Sequence, residues 1–350
     1  MKDKIINFLK NGGLFCLLVA LTACALFKNN DIYEIVSVIR NVKLPFLFVG
    51  VGAMVLFILC DAKNTQSALG MFGDRISYLQ CLRYAVVGFF FSSITPSASG
   101  GQPMQIYYMH KDNIPISHSG LTLMTELAAF QLVAVSYALI GFFMRYQLLV
   151  RSVGPIYFLL VLGILCNTCV LVLILLAIFS KKTAPAILDG VTLILRMFKY
   201  KNVDAFELSS SCQLLEYRKC AQSFKDNKKV VLKILLTTCL QIGALHSVSY
   251  WVYLAFGLDT YSFFTVLCLQ SILFISVSAI PLPGTVGISE SGFMVLFRAL
   301  FSPNALAGAM LLSRGISFYL FVLITGAIIS FDIAIKKVRS EFFASSPFRA

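Results

Sequence analysis

The chain has 350 residues, of which 58% are hydrophobic and only 13% charged, with a mean hydropathy of +0.84 and a formal net charge of +13. A soluble domain carries about 25% charged residues, so this composition excludes a soluble enzyme and indicates a polytopic membrane protein. The positive charge does not indicate nucleic acid, because it is concentrated in short hydrophilic segments, as in the cytoplasmic loops of membrane proteins.

The N-terminal Lys2, Lys4 and Lys10 precede the apolar run "LFCLLVALTACALF". That run has the look of a secretory h-region, and Leu21-Thr22-Ala23-Cys24 that of a lipoprotein cleavage site. Because membrane-type sequence continues downstream, it is read as an uncleaved first span. Six stretches are expected to cross as helices: 12–27, 44–60, 120–144, 155–179, 230–256 and 305–331. The first two are short for a bilayer core, so flanking residues such as Lys10 and Lys28 are expected to snorkel. Ten cysteines lie mostly in apolar sequence, and Cys166/Cys169 have no second pair to complete a metal site. No metal or cofactor is expected.

Two further apolar regions, 79–108 and 262–301, are interrupted by "SSITPSASGGQP" and "PLPGTVGISE". Their topology follows from charge. Segment 181–229 holds ten lysines and arginines against five acids, and Lys336, Lys337 and Arg339 lie near the C-terminus. With both segments and the N-terminus in the cytoplasm, region 79–119 must begin and end inside, whereas 262–301 must begin and end outside. The expected fold is therefore all-α, with six full spans and two oppositely inserted re-entrant hairpins. It divides into inverted repeats at 1–150 and 151–340, each reading helix, helix, broken hairpin, helix. Residues 187–224 are expected to include an interfacial helix.

Irregular backbone at membrane depth must be buried in protein or line a wet cavity, since unpaired N–H and C=O groups cannot face lipid. The N–H groups of Gly100 and Gly101, with Ser97, Ser99, Gln102 and Gln105 around them, are candidates for an anion site at a half-helix start. Gly284 repeats the design from the other side. A kink between two complete spans is the bland alternative for either motif. Arg314 sits deep in the last span, Glu126 inside 120–144 and Glu290 just past the second break. Ionisable groups at such depth mark a pathway or a structural ion pair, and the arginine fork suits phosphate. His246 and Gln241 are read as packing or interhelical hydrogen bonding. Arg298 is expected to snorkel, and Arg83 and Lys111 to fix topology.

These motifs resemble the membrane domain of bacterial lysylphosphatidylglycerol synthases and their flippase-like relatives. Thr95-Pro96, Gly100-Gly101 and Pro103 follow the T-P-x-x-x-G-G-x-P pattern, with Tyr107 and Tyr108 on the helix beyond. Pro281, Pro283, Gly284, Gly287 and Glu290 follow P-x-P-G-x-x-G-x-x-E. Arg314 matches a family arginine. Thr285 replaces a usual second glycine, and Leu127 follows Glu126 where the family often has arginine. The resemblance implies translocation of an anionic or aminoacylated phospholipid, or of a lipid-linked head group, across a bacterial cytoplasmic membrane. Arg314 and the glycine N–H groups would hold phosphate, while Glu126 and Glu290 would balance charge or accept an amine. It does not imply the synthase reaction, which belongs to a soluble aminoacyl-transfer domain that is not expected here. Partners in this reading are a phosphate-bearing head group, a lipid-modifying enzyme and a further copy of the chain.

Two rival classes remain. A membrane-embedded transferase could use Asp31 or Glu34 as an acid, although no DDxxD, HExxH, GxSxG or nucleotide-binding pattern is present. An accessory subunit would instead depend on its cytoplasmic loops and be indifferent to changes at 126, 290 and 314.

Overall fold

A computed structural model describes residue 37 and residues 39–144, 154–179 and 227–345. All regular structure among them is helical. In chain order the helices are α1 (Leu44–Met71), α2 (Tyr78–Ile94), α3 (Gly101–Lys111), α4 (Ile116–Met144), α5 (Gly154–Phe179), α6 (Lys228–Ala255), α7 (Phe263–Ser278), α8 (Ile288–Leu296), α9 (Pro303–Arg314) and α10 (Leu320–Ser345). A π turn, Gly315–Tyr319, joins α9 to α10, so Pro303–Asp332 reads as one span. Five segments are thus long and apolar enough to cross a membrane. They match the second to sixth expected spans. The first expected span, its cleavage motif, the basic loop 181–229 and its interfacial helix lie outside the described residues.

Local chemistry sets the helix ends. Pro45 and Pro303 start α1 and α9, where a missing N–H costs nothing. A Ser77–Gln80 capping box opens α2, and Ser262 accepts from the Thr265 N–H to open α7. Apolar side chains surround α5, and Phe158, Leu162, Leu165 and Leu173 are exposed. Such a continuous apolar surface suits contact with lipid.

One boundary differs from expectation. The sequence suggests a loop from 61, but α1 continues to Met71. Its polar residues Asp61, Asn64 and Thr65 fall three or four apart, on one helix face, and that face is turned inward against α4 and α6. Asn64 Nδ2 donates to Thr238 Oγ1 at 3.0 Å and Gln241 Oε1 at 3.2 Å, and Gln241 Nε2 donates to Asp61 Oδ1 at 2.9 Å. Polarity here is interhelical hydrogen bonding rather than a membrane exit.

α1 and α6 form the most extensive helix pair and run antiparallel along their whole length. The Lys43 N–H donates to the Ala255 carbonyl, Gly50 packs on Trp251, and Asn64 meets Thr238. Around them α4 packs on α7, α10 on α2, and α5 on both α4 and α7.

Contacts gather the helix ends at two poles. At one pole, Arg83 near the start of α2 approaches Asp112 beyond α3 (3.8 Å) and Asp332, midway along α10 where the apolar span Pro303–Asp332 ends (3.4 Å). Tyr84 donates to Asp112 Oδ2 at 2.5 Å, and Asp74 beyond α1 meets His118 of α4 at 2.7 Å. At the other pole, the start of α1 meets the end of α6, and Tyr261 before α7 donates to the Ala299 carbonyl beyond α8 at 3.4 Å. The paired helices are short. At 1.5 Å per residue, the 17, 11, 16 and 9 residues of α2, α3, α7 and α8 span about 26, 17, 24 and 14 Å.

Where α2 and α3 fold back on each other, a Cβ on Gly101 would lie 1.9 Å from Ser92 Oγ and 2.8 Å from the Gly88 carbonyl oxygen. Backbone cannot withdraw as a side chain can. Gly101→Ala is therefore expected to cost about 1–3 kcal/mol by overpacking, read as a lowered Tm in detergent.

Candidate functional site

Each break is a short 3-10 turn between half-length helices. At the first, Thr95 is extended and Pro96–Ala98 form the turn, with Ser97 and Ala98 at φ of 51° and 54°. Thr95 Oγ1 donates to the Phe91 carbonyl at 2.6 Å and accepts the Gly100 N–H at 2.9 Å. This alters one expectation: the Gly100 N–H is committed to the threonine hydroxyl, so it is not a free anion donor. Ser97 and Ser99 are exposed, Gln102 is half-buried, and Gln105 is buried against Gly88.

The second break turns at Pro283–Thr285, with Gly284 at φ 56°, Thr285 at 51° and Gly287 at 89°. The hydroxyls of Thr285 and Ser289 lie 2.6 Å apart, bracing the turn against α8. Glu290, one turn into α8 and 3% exposed, reaches back so that Oε2 accepts the Gly287 N–H at 2.7 Å. Its other oxygen, Oε1, accepts from Arg314 Nε at 3.0 Å and from the Tyr319 hydroxyl at 2.9 Å.

Arg314 is the last residue of α9, about halfway through its span. Its Nη2 donates to the Gly284 carbonyl at 2.9 Å, and the guanidinium lies 4.6 Å from the Phe318 ring centroid. One cation thus ties together the turn, the helix behind it and the π turn. Two of its five N–H donors are used in these bonds. The remaining edge, including Nη1, has no partner among the described residues, and the side chain is 16% exposed.

The two turns pack directly on each other. Ile94, Val286, Phe318 and Val322 form a small apolar cluster at their junction. Of the residues singled out in the sequence, Arg314, Glu290 and Gly284 are therefore in direct contact. Ser97 lies in the opposing turn, with Ser99, Gly100 and Gly101 next to it in sequence. Gln102 and Gln105 follow on α3.

Glu126 is elsewhere. It lies beside Asp61 and Thr65. Gly50 packs on Ile316, close to Arg314 in sequence, whereas Asp61 and Thr65 are about 20 Å further along α1. Reasoning from the sequence missed Tyr319, Phe318, Thr285 and Ser289. A regular helix brings only positions i+3 and i+4 beside Arg314; the wider π turn is what places Tyr319, at i+5, on the same carboxylate.

His246 is fully buried and pairs through Nδ1 with Ser271 of α7 at 2.8 Å, an interhelical bond. Arg298 is exposed near the end of the second hairpin, and Arg83 and Lys111 stack on Tyr108 and Tyr107.

The family model described as the lysylphosphatidylglycerol synthase TM region matches residues 12–325. The chain belongs to this family. Membership covers both breaks and the Arg314–Glu290 pair. The chain is also similar to a UPF0104 membrane protein of Archaeoglobus fulgidus, 24% identical over 318 residues, covering 86% of this chain and 90% of the relative. A UPF0104 membrane protein of Pyrococcus horikoshii is 22% identical over 307 residues, covering 84% and 89%.

Proposed function

We propose that this membrane protein is a translocator of phosphate-bearing lipids, with the junction of the two breaks as its head-group site. The single observation that carries this reading is the held but incompletely paired Arg314 at that junction. Glu290 and the Gly284 carbonyl fix the guanidinium plane, leaving an N–H edge for an anion. Rigid presentation of a planar fork favours phosphate recognition, because little entropy is lost on binding. The exposed hydroxyls of Ser97 and Ser99 add neutral donors nearby.

The membrane arrangement behind this reading is a pair of re-entrant hairpins in an inverted repeat. Several contacts support it. Both outer ends of the α2–α3 hairpin meet at one pole, and both outer ends of the α7–α8 hairpin meet at the other. The helix pairings also repeat under exchange of halves: α1 faces α6, turn faces turn, and α4 on α7 mirrors α10 on α2. In this reading the basic segments and both termini face the cytoplasm. An apolar groove of about 150 Å³ beside α8, lined by Leu159, Leu273, Val277, Ile288 and Val295, offers an acyl chain a place next to the polar junction. The lipid tail then stays in the bilayer while its head crosses between the turns, which lowers the cost of passing a charge through hydrocarbon.

Reconstitution tests this. In vesicles carrying phosphatidylglycerol labelled on its head group, the purified protein should expose inner-leaflet label to a membrane-impermeant reductant. Arg314→Lys keeps the charge but loses the fork, and should slow that exposure by on the order of tenfold. Label that stays protected at all protein densities would contradict the reading.

A further inference from the structure

A second polar centre lies away from the Arg314 junction, where α1, α4 and α6 meet. Asp61 and Glu126 are neighbours there, and neither makes an ion pair among the described residues. Two carboxylates side by side in a low-dielectric interior repel strongly unless a positive charge lies between them.

Lys63, on the same helix as Asp61, makes no ion pair with either carboxylate; its Nζ donates to the neutral Gln66 Oε1 at 2.8 Å. The other ionisable groups facing the pair are Cys60 on α1, beside Asp61, and Cys81 on α2, beside Glu126. From α6 come only the neutral Thr238 and Gln241 among the described contacts.

An independent observation concerns unpartnered oxygens. Asn64 is 2% exposed and Thr122 fully buried, yet Asn64 Oδ1 and Thr122 Oγ1 have no hydrogen-bond partner. Glu126 Oε1 is buried without one as well. Thr122 and Glu126 are four residues apart and share one face of α4. Asn64 and Asp61 share the inward face of α1, linked through Gln241. Buried polar atoms are nearly always satisfied, so three such oxygens on the two helix faces that carry the acidic pair point to something they coordinate. The donors are all hard oxygens with two carboxylates, which suits a small hard cation and not a soft transition metal.

We propose that Asp61, Asn64, Thr122 and Glu126 form a buried site for one hard monovalent charge, a sodium ion or a proton, between α1 and α4. A sodium ion would coordinate the orphaned oxygens and offset the repulsion between the carboxylates, whereas a proton would remove the repulsion by neutralising one of them. The site does not involve Arg314 or Glu290, so its occupancy is measurable without any lipid assay.

The test uses thermal unfolding of the purified full chain. One arm titrates sodium chloride against choline chloride at constant ionic strength. The other lowers the pH of sodium-free choline buffer from about 8 to about 5. A ligand at about a hundredfold excess over its Kd should raise Tm by about 3–6 °C. The arm that responds identifies the ion. Glu126→Gln and Asp61→Asn should each lose that response while still unfolding cooperatively; two variants are used so that poor folding of one does not spoil the test. No difference between wild type and both variants in either arm overturns the proposal, as does a full response retained in both.

Discussion

Arg314→Ala should destabilise the protein by about 3–5 kcal/mol, because it leaves Glu290 as a buried charge without its counter-ion. Glu290 is 3% exposed, and its Oε1 would keep only the Tyr319 hydroxyl, which cannot neutralise it. The Gly284 carbonyl loses its donor in the same change. Thermal unfolding followed by the fluorescence of Trp251, the only tryptophan, gives the measurement. The double variant Arg314→Met with Glu290→Met should recover much of that loss, since removing both charges leaves neither stranded. A recovered stability without recovered lipid movement would separate the two roles of the pair. Full stability in the single variant would mean that Glu290 is neutral or hydrated, and that the ion pair does not hold the turn.

Gly284→Ala is expected to cost about 2–5 kcal/mol, from two additive causes. The residue has φ +56°, a region that costs a residue with a Cβ about 1–2 kcal/mol. The new Cβ would also lie 2.1 Å from the Phe318 ring, and forcing a packed aromatic aside adds about 1–3 kcal/mol. Phe318 is the ring beneath the guanidinium, so the change should also move Arg314. A joint loss of stability and phosphate-lipid binding is expected, measured by unfolding and by lipid co-purification. Thr285, also at positive φ, already carries such strain, which its hydroxyl bond to Ser289 helps to hold.

Much of this architecture was legible in the sequence because the bilayer imposes a simple rule. Long apolar runs become helices, and α1, α4, α5, α6 and the α9–α10 span begin within about four residues of where those runs do. The two breaks were legible for the same reason, since proline and glycine in such runs interrupt the hydrogen-bond ladder. The continuation of α1 past Cys60 was not. Asp61, Lys63, Asn64 and Gln66 read as an exit to water when only composition is considered. The i, i+3, i+4 spacing of Asp61, Asn64 and Thr65 was the available signal, and the partners on α6 that make it a buried face lie about 180 residues away.

The candidate site was partly legible. The depth of Arg314 and Glu290 marked them, but their pairing depends on how α8 folds against α9, which spacing along the chain does not encode. Capture of the Gly100 N–H by Thr95 is local and could have been anticipated, because a threonine preceding a turn commonly bonds nearby backbone. Grouping Glu126 with Arg314 followed from shared depth alone. Depth is one coordinate, and the lateral position of a helix in the bundle is set by side-chain packing.

The most direct test of the account is the depth and wetting of the two turns in a bilayer. Spin labels at Ser97→Cys and Pro281→Cys, both exposed positions, in a background freed of the other cysteines, can be relaxed by dissolved oxygen or by a water-soluble nickel chelate. The account predicts that both labels lie near the bilayer midplane and are nonetheless reached by nickel. Labels relaxed at midplane depth by oxygen alone, or found at opposite membrane surfaces, would contradict a hydrated junction between the turns.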